Sequence, residues 1–164
     1  MLHMELVVRP PTVEDAPALH EAVMASLEHL RPWMPWIAFE PQTVEQRRER
    51  IATWTESYAM LLDDVLVGMS GIHDRIGGGG LEIGYWVRVD QIGRGYATEA
   101  ARQLSEIALA RPGIDHVEIH HDKANVPSGR VPAKLGFTLV REVPDEITSP
   151  GECGISCEWS LTRG

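Results

Sequence analysis

The chain has 164 residues, 43% of them hydrophobic and 24% charged, with a formal net charge of −9. That length supports one domain, 1–164, with a core of its own, and no apolar run approaches the roughly 20 residues of a membrane span. No cluster of Lys and Arg forms a nucleic-acid footprint, and the acidic balance favours cationic partners such as amines or basic peptides. The N-terminal stretch MLHMELVVRP lacks a basic region followed by an apolar core and a cleavage site, so the expected compartment is the cytoplasm.

In chain order, Met4 to Val8 reads as a short strand. Thr12-Val-Glu-Asp15 offers a helix N-cap, and Pro17 is tolerable only near a helix start. Leu19, Val23, Leu27 and Leu30 then form a stripe at helical spacing until Pro32. A second helix opens at Thr43 with Gln46 at capping-box spacing, and Val44, Ile51, Trp54 and Tyr58 are assigned to one face of it. Ala59 to Leu62 and Val65 to Ile72 flank Asp63-Asp64 as a hairpin, and Gly77 to Gly80 reads as a hairpin tip. Leu81 to Val89 alternates: Leu81, Ile83, Tyr85, Val87 and Val89 face one way, and Glu82, Gly84, Trp86 and Arg88 the other.

Ala97, Ala101, Leu104 and Ala108 mark a helix that Pro112-Gly113 ends, and His116 to His121 is a strand. Asn125 is placed to cap a helix running to Leu135, which Gly136 ends. Phe137 to Val140 and Gly154 to Leu161 complete the sheet, with Cys153, Ile155, Cys157, Trp159 and Leu161 on the inner face of the last strand. At roughly 3.3 Å per residue the two cysteines would stand about 13 Å apart, beyond the ~7 Å reach of a disulfide. The same rise separates His116 from His120, while His121 points the opposite way, so no metal is expected. The order β-α-α-β-β-β-α-β-α-β-β defines an α/β fold with a mixed sheet of seven strands and helices on its faces.

Between the alternating strand and the next helix lies Gln91-Ile-Gly-Arg-Gly-Tyr-Ala97. Glycines there admit a ligand close to the backbone, and the first helical turn adds unpaired N–H donors and the positive end of the dipole, a combination that favours phosphate. A dinucleotide fingerprint would need glycine where Thr98 stands, and the Gly-Lys-Ser/Thr of a nucleoside-triphosphate loop is absent.

Gly-Arg-Gly-Tyr-Ala-Thr-Glu-Ala (Gly93 to Ala100) closely resembles the coenzyme-A-binding motif of the GNAT superfamily of N-acetyltransferases. Leu-Glu-Ile-Gly-Tyr-Trp (Leu81 to Trp86) resembles the family's central splayed strand. Asn125-Val-Pro-Ser128 and Lys-Leu-Gly-Phe (Lys134 to Phe137) resemble its following helix and strand. Leu-Arg-Pro-Trp-Met-Pro-Trp (Leu30 to Trp36) resembles the RimJ/RimL branch, which acetylates protein N-termini, chiefly ribosomal ones, among other amines. The motif departs from the family pattern at Ile92, where Gln or Arg is usual, with Gln91 just before it.

The resemblance implies a mostly antiparallel sheet, acetyl-coenzyme A as co-substrate, and direct transfer from the thioester to an amine. It implies coenzyme contacts at Ile92, Gly93, Arg94, Gly95, Tyr96, Ala97, Thr98, Asn125 and Ser128. It also implies that Trp86 and Val87 pair their backbones with the pantetheine arm where the strand bulges. Glu82 matches the strand-borne glutamate that serves as base through water, and Ser128 matches the branch's serine acid. Pro132 stands where many relatives carry a tyrosine acid, so no phenol is expected at the site, and a proline there should kink the helix around Ser128 to Pro132. Trp33 and Trp36, with Glu82, are expected to line the acceptor pocket. The acceptor is a protein N-terminus or a small-molecule amine, and an acyl group larger than acetyl is compatible with the motif. The rival reading is a non-catalytic acyl-coenzyme A sensor or interaction module. Members of this branch often dimerise, so a homodimer is among the expected assemblies.

Overall fold

A computed structural model describes residues 5–163. The chain opens with β1 (Leu6–Arg9); Met4, assigned to this strand from sequence, lies outside the described residues. The Asp15 carboxylate accepts the Thr12 backbone N–H at 2.8 Å and holds the turn that leads into α1 (Ala16–Leu30). The Leu19, Val23 and Leu30 stripe is buried. The segment from Pro32 to Gln42 holds a 3-10 turn at Pro35–Phe39, anchored by the buried Ile37. The capping box at Thr43 forms as read, with Thr43 Oγ1 accepting from the Gln46 N–H at 3.1 Å and Gln46 Oε1 accepting from the Thr43 N–H at 2.7 Å.

The second helix is shorter than its apolar periodicity implied. α2 spans Val44–Ile51, Trp54 lies in the connection after it, and Tyr58 is already in β2 (Ser57–Leu62). Hydrophobic spacing alone does not separate a helix's last turn from the strand that follows. β2 turns into β3 (Val65–His73) through Asp63 and Asp64, both at positive φ (50 and 65), the twist-matched turn of a two-residue hairpin. β3 returns as β4 (Gly80–Val87) after the glycine-rich tip. Val89 lies beyond β4 in a 3-10 turn, where its N–H donates to the buried Ser26 hydroxyl at 3.0 Å and ties the strand end to α1.

α3 (Tyr96–Leu109), β5 (His116–Asp122), α4 (Val126–Lys134), β6 (Thr138–Pro144) and β7 (Ile155–Thr162) follow. Cys153 therefore precedes the last strand rather than lying on it, and Ile155 at its start is exposed. Cys153 is exposed, Cys157 is buried, and both are free thiols. The last strand's inward face begins only where β7 pairs on both sides.

The seven strands order as β1-β2-β3-β4-β5-β7-β6. Every neighbouring pair is antiparallel except β4 with β5. Side chains of α1 and α2 pack on one face, with Ala59, Leu61, Leu66 and Met69. Leu104 and Ala108 of α3 and Val131 of α4 pack on the other, with Leu81, Ile83, Val117 and Ile119. β4 and β5 pair only from Gly80 to Glu82 against His116 to Glu118, so the sheet parts beyond Glu82.

Candidate active site

The β4 ladder decides which backbone groups face that parting. The Arg88 N–H donates to the Val67 carbonyl at 2.8 Å, and β4 keeps an unbroken register against β3 from His73–Glu82 to Gly68–Val87. Antiparallel alternation then directs the peptide groups of Glu82, Gly84 and Trp86 to β3, and those of Ile83, Tyr85 and Val87 into the gap. Two expectations are corrected. The pairing with β3 shows no bulge at Trp86 or Val87; the opening comes from β5 diverging. Of those two residues only Val87 has backbone groups free for a pantetheine arm, because those of Trp86 belong to the β3 ladder.

After β4, Gly93 (φ 76) and Gly95 (φ 83) take the left-handed conformation that glycine adopts without strain. Gly95 is the N-cap of α3 and has no side chain with which to cap it. The Glu99 N–H is the first to reach back, bonding the Gly95 carbonyl at 3.0 Å. The N–H groups of Tyr96, Ala97 and Thr98 thus have no intrahelical acceptor, and they sit at the positive end of a 14-residue helix. A Cβ built on Gly93 would meet nothing within 4 Å, so the turn is open on its outer side. Ile92 and Arg94 are exposed, whereas the Tyr96 side chain is buried in the core.

A cleft of about 740 Å³ runs through the parting of the sheet. Glu82, Trp33, Trp36, Trp86, Asn125 and Ser128 all line it. The glycine turn from Ile92 to Thr98 lies outside this cleft, beyond the end of β4. Trp36 and Trp86 meet with ring centroids 5.8 Å apart, forming an aromatic wall on the α1 side. The loop before β7 packs against Pro32 and Trp33, where the Gly151 N–H donates to the Pro32 carbonyl at 2.9 Å. A Cβ on Gly151 would come within 2.7 Å of Pro32 Cβ, so only glycine permits that approach. Beneath the wall, buried Arg47 spans three elements: it donates to Glu40 through both terminal nitrogens and to His20 Nδ1 at 3.0 Å.

Glu82 is buried on β4 and carries a partner that its sequence context did not disclose. Arg75, from the turn between β3 and β4, donates to Glu82 Oε1 at 2.7 Å and to Oε2 at 2.9 Å. Burial pushes the Glu82 carboxyl up, but the Arg75 bonds and the charges of Arg75, His120 and His73 outweigh it. The carboxyl therefore titrates below its usual range and is ionised at neutral pH. His120 stands beside it, with Nδ1 3.8 Å from Glu82 Oε1 and Nε2 2.7 Å from Glu118 Oε1. Glu118, His120 and Glu158 place their ligand atoms within 4.8 Å of one another. Arg141 donates to both Glu118 and Glu158 at 2.6 Å, so this group is an ion-pair network in which one guanidinium bridges two carboxylates. Glu118 also reaches His116 Nε2 at 3.3 Å, bridging two histidines that strand rise alone keeps apart.

On the opposite wall, Asn125 occupies the N-cap of α4 but makes no side-chain capping bond, which corrects its reading as a helix cap. Its backbone φ of −85 and ψ of 71 depart from the extended geometry of a capping side chain, leaving the amide facing the cleft. α4 runs from Val126 to Lys134 with Pro132 inside it, so the helix continues past the proline expected to kink it. A phenol is also present at the site, contrary to expectation, because Tyr85 of β4 donates its hydroxyl to the Ser128 carbonyl at 2.9 Å. Arg75, His120 and Tyr85 are the site residues that sequence reasoning missed. Tyr85 was visible only as one apolar-facing member of an alternating strand.

A sheet parted between β4 and β5, followed by a glycine turn and a bare helix N-terminus beyond the end of β4, is the architecture of an acyl-coenzyme A transferase, and the comparisons agree. Residues 5–138 match the model of the acetyltransferase (GNAT) domain, and the chain belongs to that family. It is 29% identical over 143 residues, 80% of this chain and 77% of the relative, to "Putative ribosomal N-acetyltransferase YdaF" of Bacillus subtilis (strain 168). Among solved structures, RimL, the ribosomal L7/L12 alpha-N-protein acetyltransferase in complex with coenzyme A, superposes with a TM-score of 0.84. That match has 18% identity and covers 99% of this chain and 96% of that one. The microcin C7 self-immunity acetyltransferase MccE, in complex with acetyl-CoA and AMP, gives a TM-score of 0.85 at 18% identity, covering 97% and 93%. The chain is therefore an acetyl-CoA-dependent N-acetyltransferase of the GNAT family, and proteins named for ribosomal N-acetylation are among those it resembles. Nothing in these likenesses favours the non-catalytic module.

Proposed function

We propose that this enzyme acetylates the α-amine of a protein N-terminus, with Glu82 as general base and Ser128 as general acid. The observation that carries the reading is the cleft through the sheet, which has Glu82 on one wall and Ser128 on the other. The acceptor amine enters on the α1 side between Trp33, Trp36 and Trp86. It arrives as an ammonium and gives up a proton, through a water, to the ionised Glu82. The free amine attacks the thioester carbonyl, whose oxygen gains charge near the Val87 N–H directed into the gap. The C–S bond then breaks as the acylated nitrogen loses its second proton, which passes to Ser128 while the Ser128 hydroxyl gives its own proton to the departing thiolate, and Glu82 returns its proton to solvent. Peptide N-termini come first because the relative from Bacillus subtilis is named for ribosomal acetylation and the acidic, aromatic cleft suits a cationic chain end. Small-molecule amines form the second class.

Coenzyme A is held by the N–H groups of Gly93 to Thr98 and by Val87, with Ile92 and Arg94 at the rim and Asn125 and Ser128 reaching it from α4. The protein is taken to act as a single domain in the cytoplasm, with self-association into a dimer as its assembly. The test is thiol release from acetyl-CoA against hexapeptides beginning with Ser, Ala or Met, alongside spermidine and free lysine. Turnover confined to the peptides is the expected result, and turnover confined to spermidine or lysine would move the acceptor to the second class. Calorimetric binding of coenzyme A with no turnover on any amine would return the protein to the class of binding modules.

A further inference from the structure

In a regular α-helix the N–H of residue i+4 satisfies the carbonyl of residue i. Pro132 has no N–H, so the Ser128 carbonyl loses that partner although α4 continues past it. Tyr85 supplies the missing donor from another element, its hydroxyl 2.9 Å from the Ser128 carbonyl oxygen and 43 residues away in sequence. A phenol has one proton, and here the backbone holds it. The Ser128 hydroxyl lies 3.5 Å from the same phenol oxygen, a loose contact that leaves the serine proton transferable. Burial pushes the Tyr85 phenol up to about 12, so it stays a donor across the working pH range. Pro132 is itself fully buried and fixes the turn that carries Ser128.

We propose that Tyr85 is a positioning residue whose hydroxyl replaces the backbone N–H lost at Pro132 and thereby holds Ser128 facing the gap between β4 and β5. It acts through the serine and does not itself protonate the thiolate. The inference rests on the reading of Ser128 as the acid, and it adds the device that keeps the serine in place. It also explains how this chain has proline inside the helix that presents its acid: the cost of the missing bond is met from β4.

The test is a set of five variants: Tyr85→Phe, Pro132→Ala, Tyr85→Phe/Pro132→Ala, Ser128→Ala and Tyr85→Phe/Ser128→Ala. Alanine at 132 restores an N–H to the Ser128 carbonyl. Turnover is measured with acetyl-CoA and the best amine of the panel above. Tyr85→Phe is expected to lower kcat about 10- to 100-fold, the scale of a misplaced catalytic group, with the KM for acetyl-CoA within about twofold. Adding Pro132→Ala should recover most of that loss, and adding Tyr85→Phe to Ser128→Ala should cost nothing more. A double variant as slow as Tyr85→Phe alone, or a further loss on top of Ser128→Ala, overturns the proposal. Urea midpoints of the first three variants and the parent supply a readout independent of turnover. The midpoint shift caused by Tyr85→Phe should at least halve in the Pro132→Ala background, and an additive cycle overturns the proposed bond. If the parent turns over no amine, the acetyl-transfer reading fails, and the urea cycle alone decides whether Tyr85 replaces the missing N–H.

Discussion

Glu82 meets the first requirement of a base for ammonium deprotonation, being ionised at neutral pH, and it stands within 3.8 Å of a second titratable group, His120, while its lowered pKa makes it a weaker proton acceptor than a free carboxylate. Its depressed pKa works in one direction. The basic form is present above that pKa, so the acid limb of kcat/KM should lie below the ordinary carboxylate range. Arg75→Ala removes the two bonds that hold the pKa down while burial continues to push it up, so the acid limb should move to higher pH. A pH–rate profile that does not move would detach Arg75 from the chemistry. Glu82→Gln should lower kcat/KM by about 10²- to 10⁴-fold near neutral pH, measured by thiol release. The sequence disclosed Glu82 because strand alternation places it on a polar face. It did not disclose Arg75 or Tyr85, whose partners are set by the path of a glycine-rich turn and by a helix lying over the strand. Neither placement leaves a periodic trace.

Elements were the most legible scale, and the reasons are local. The Thr43–Gln46 box, the Asp63-Asp64 hairpin and the glycine turn before α3 each carry their own chemistry within a few residues, and each formed as read. Errors fell where one apolar pattern was shared between elements, as when Trp54 and Tyr58 continued the α2 spacing beyond the helix. At the glycine turn, Gly93→Ala would place a Cβ at φ 76 into open space, straining the backbone by about 1 kcal/mol without a clash. The fold should survive with a small loss in Tm, while the KM for acetyl-CoA rises about tenfold or more; an unchanged KM would remove this turn from coenzyme binding. Arg47 makes a different case. It is buried between Glu40, His20 and the cleft floor, so Arg47→Ala strands a carboxylate in the interior and should cost about 3–5 kcal/mol of unfolding free energy, measured by denaturant titration.

For the whole molecule, chain order and strand alternation together gave the α/β class, and the sheet order β1-β2-β3-β4-β5-β7-β6 realises it. What a one-dimensional pattern does not carry is how far two neighbouring strands stay paired. β4 and β5 hold together for three residue pairs and then separate, and this alone joins the two faces of the sheet into one cleft. The same parting makes the protein its own reporter. The amides of Tyr85 and Val87 point into a gap with no strand partner on that side, whereas those of Gly84 and Trp86 are locked in the β3 ladder. Hydrogen–deuterium exchange along β4 should therefore alternate between fast and slow residue by residue, and coenzyme A should slow Val87 most. That footprint would register cofactor occupancy in a protein whose acceptor had never been supplied.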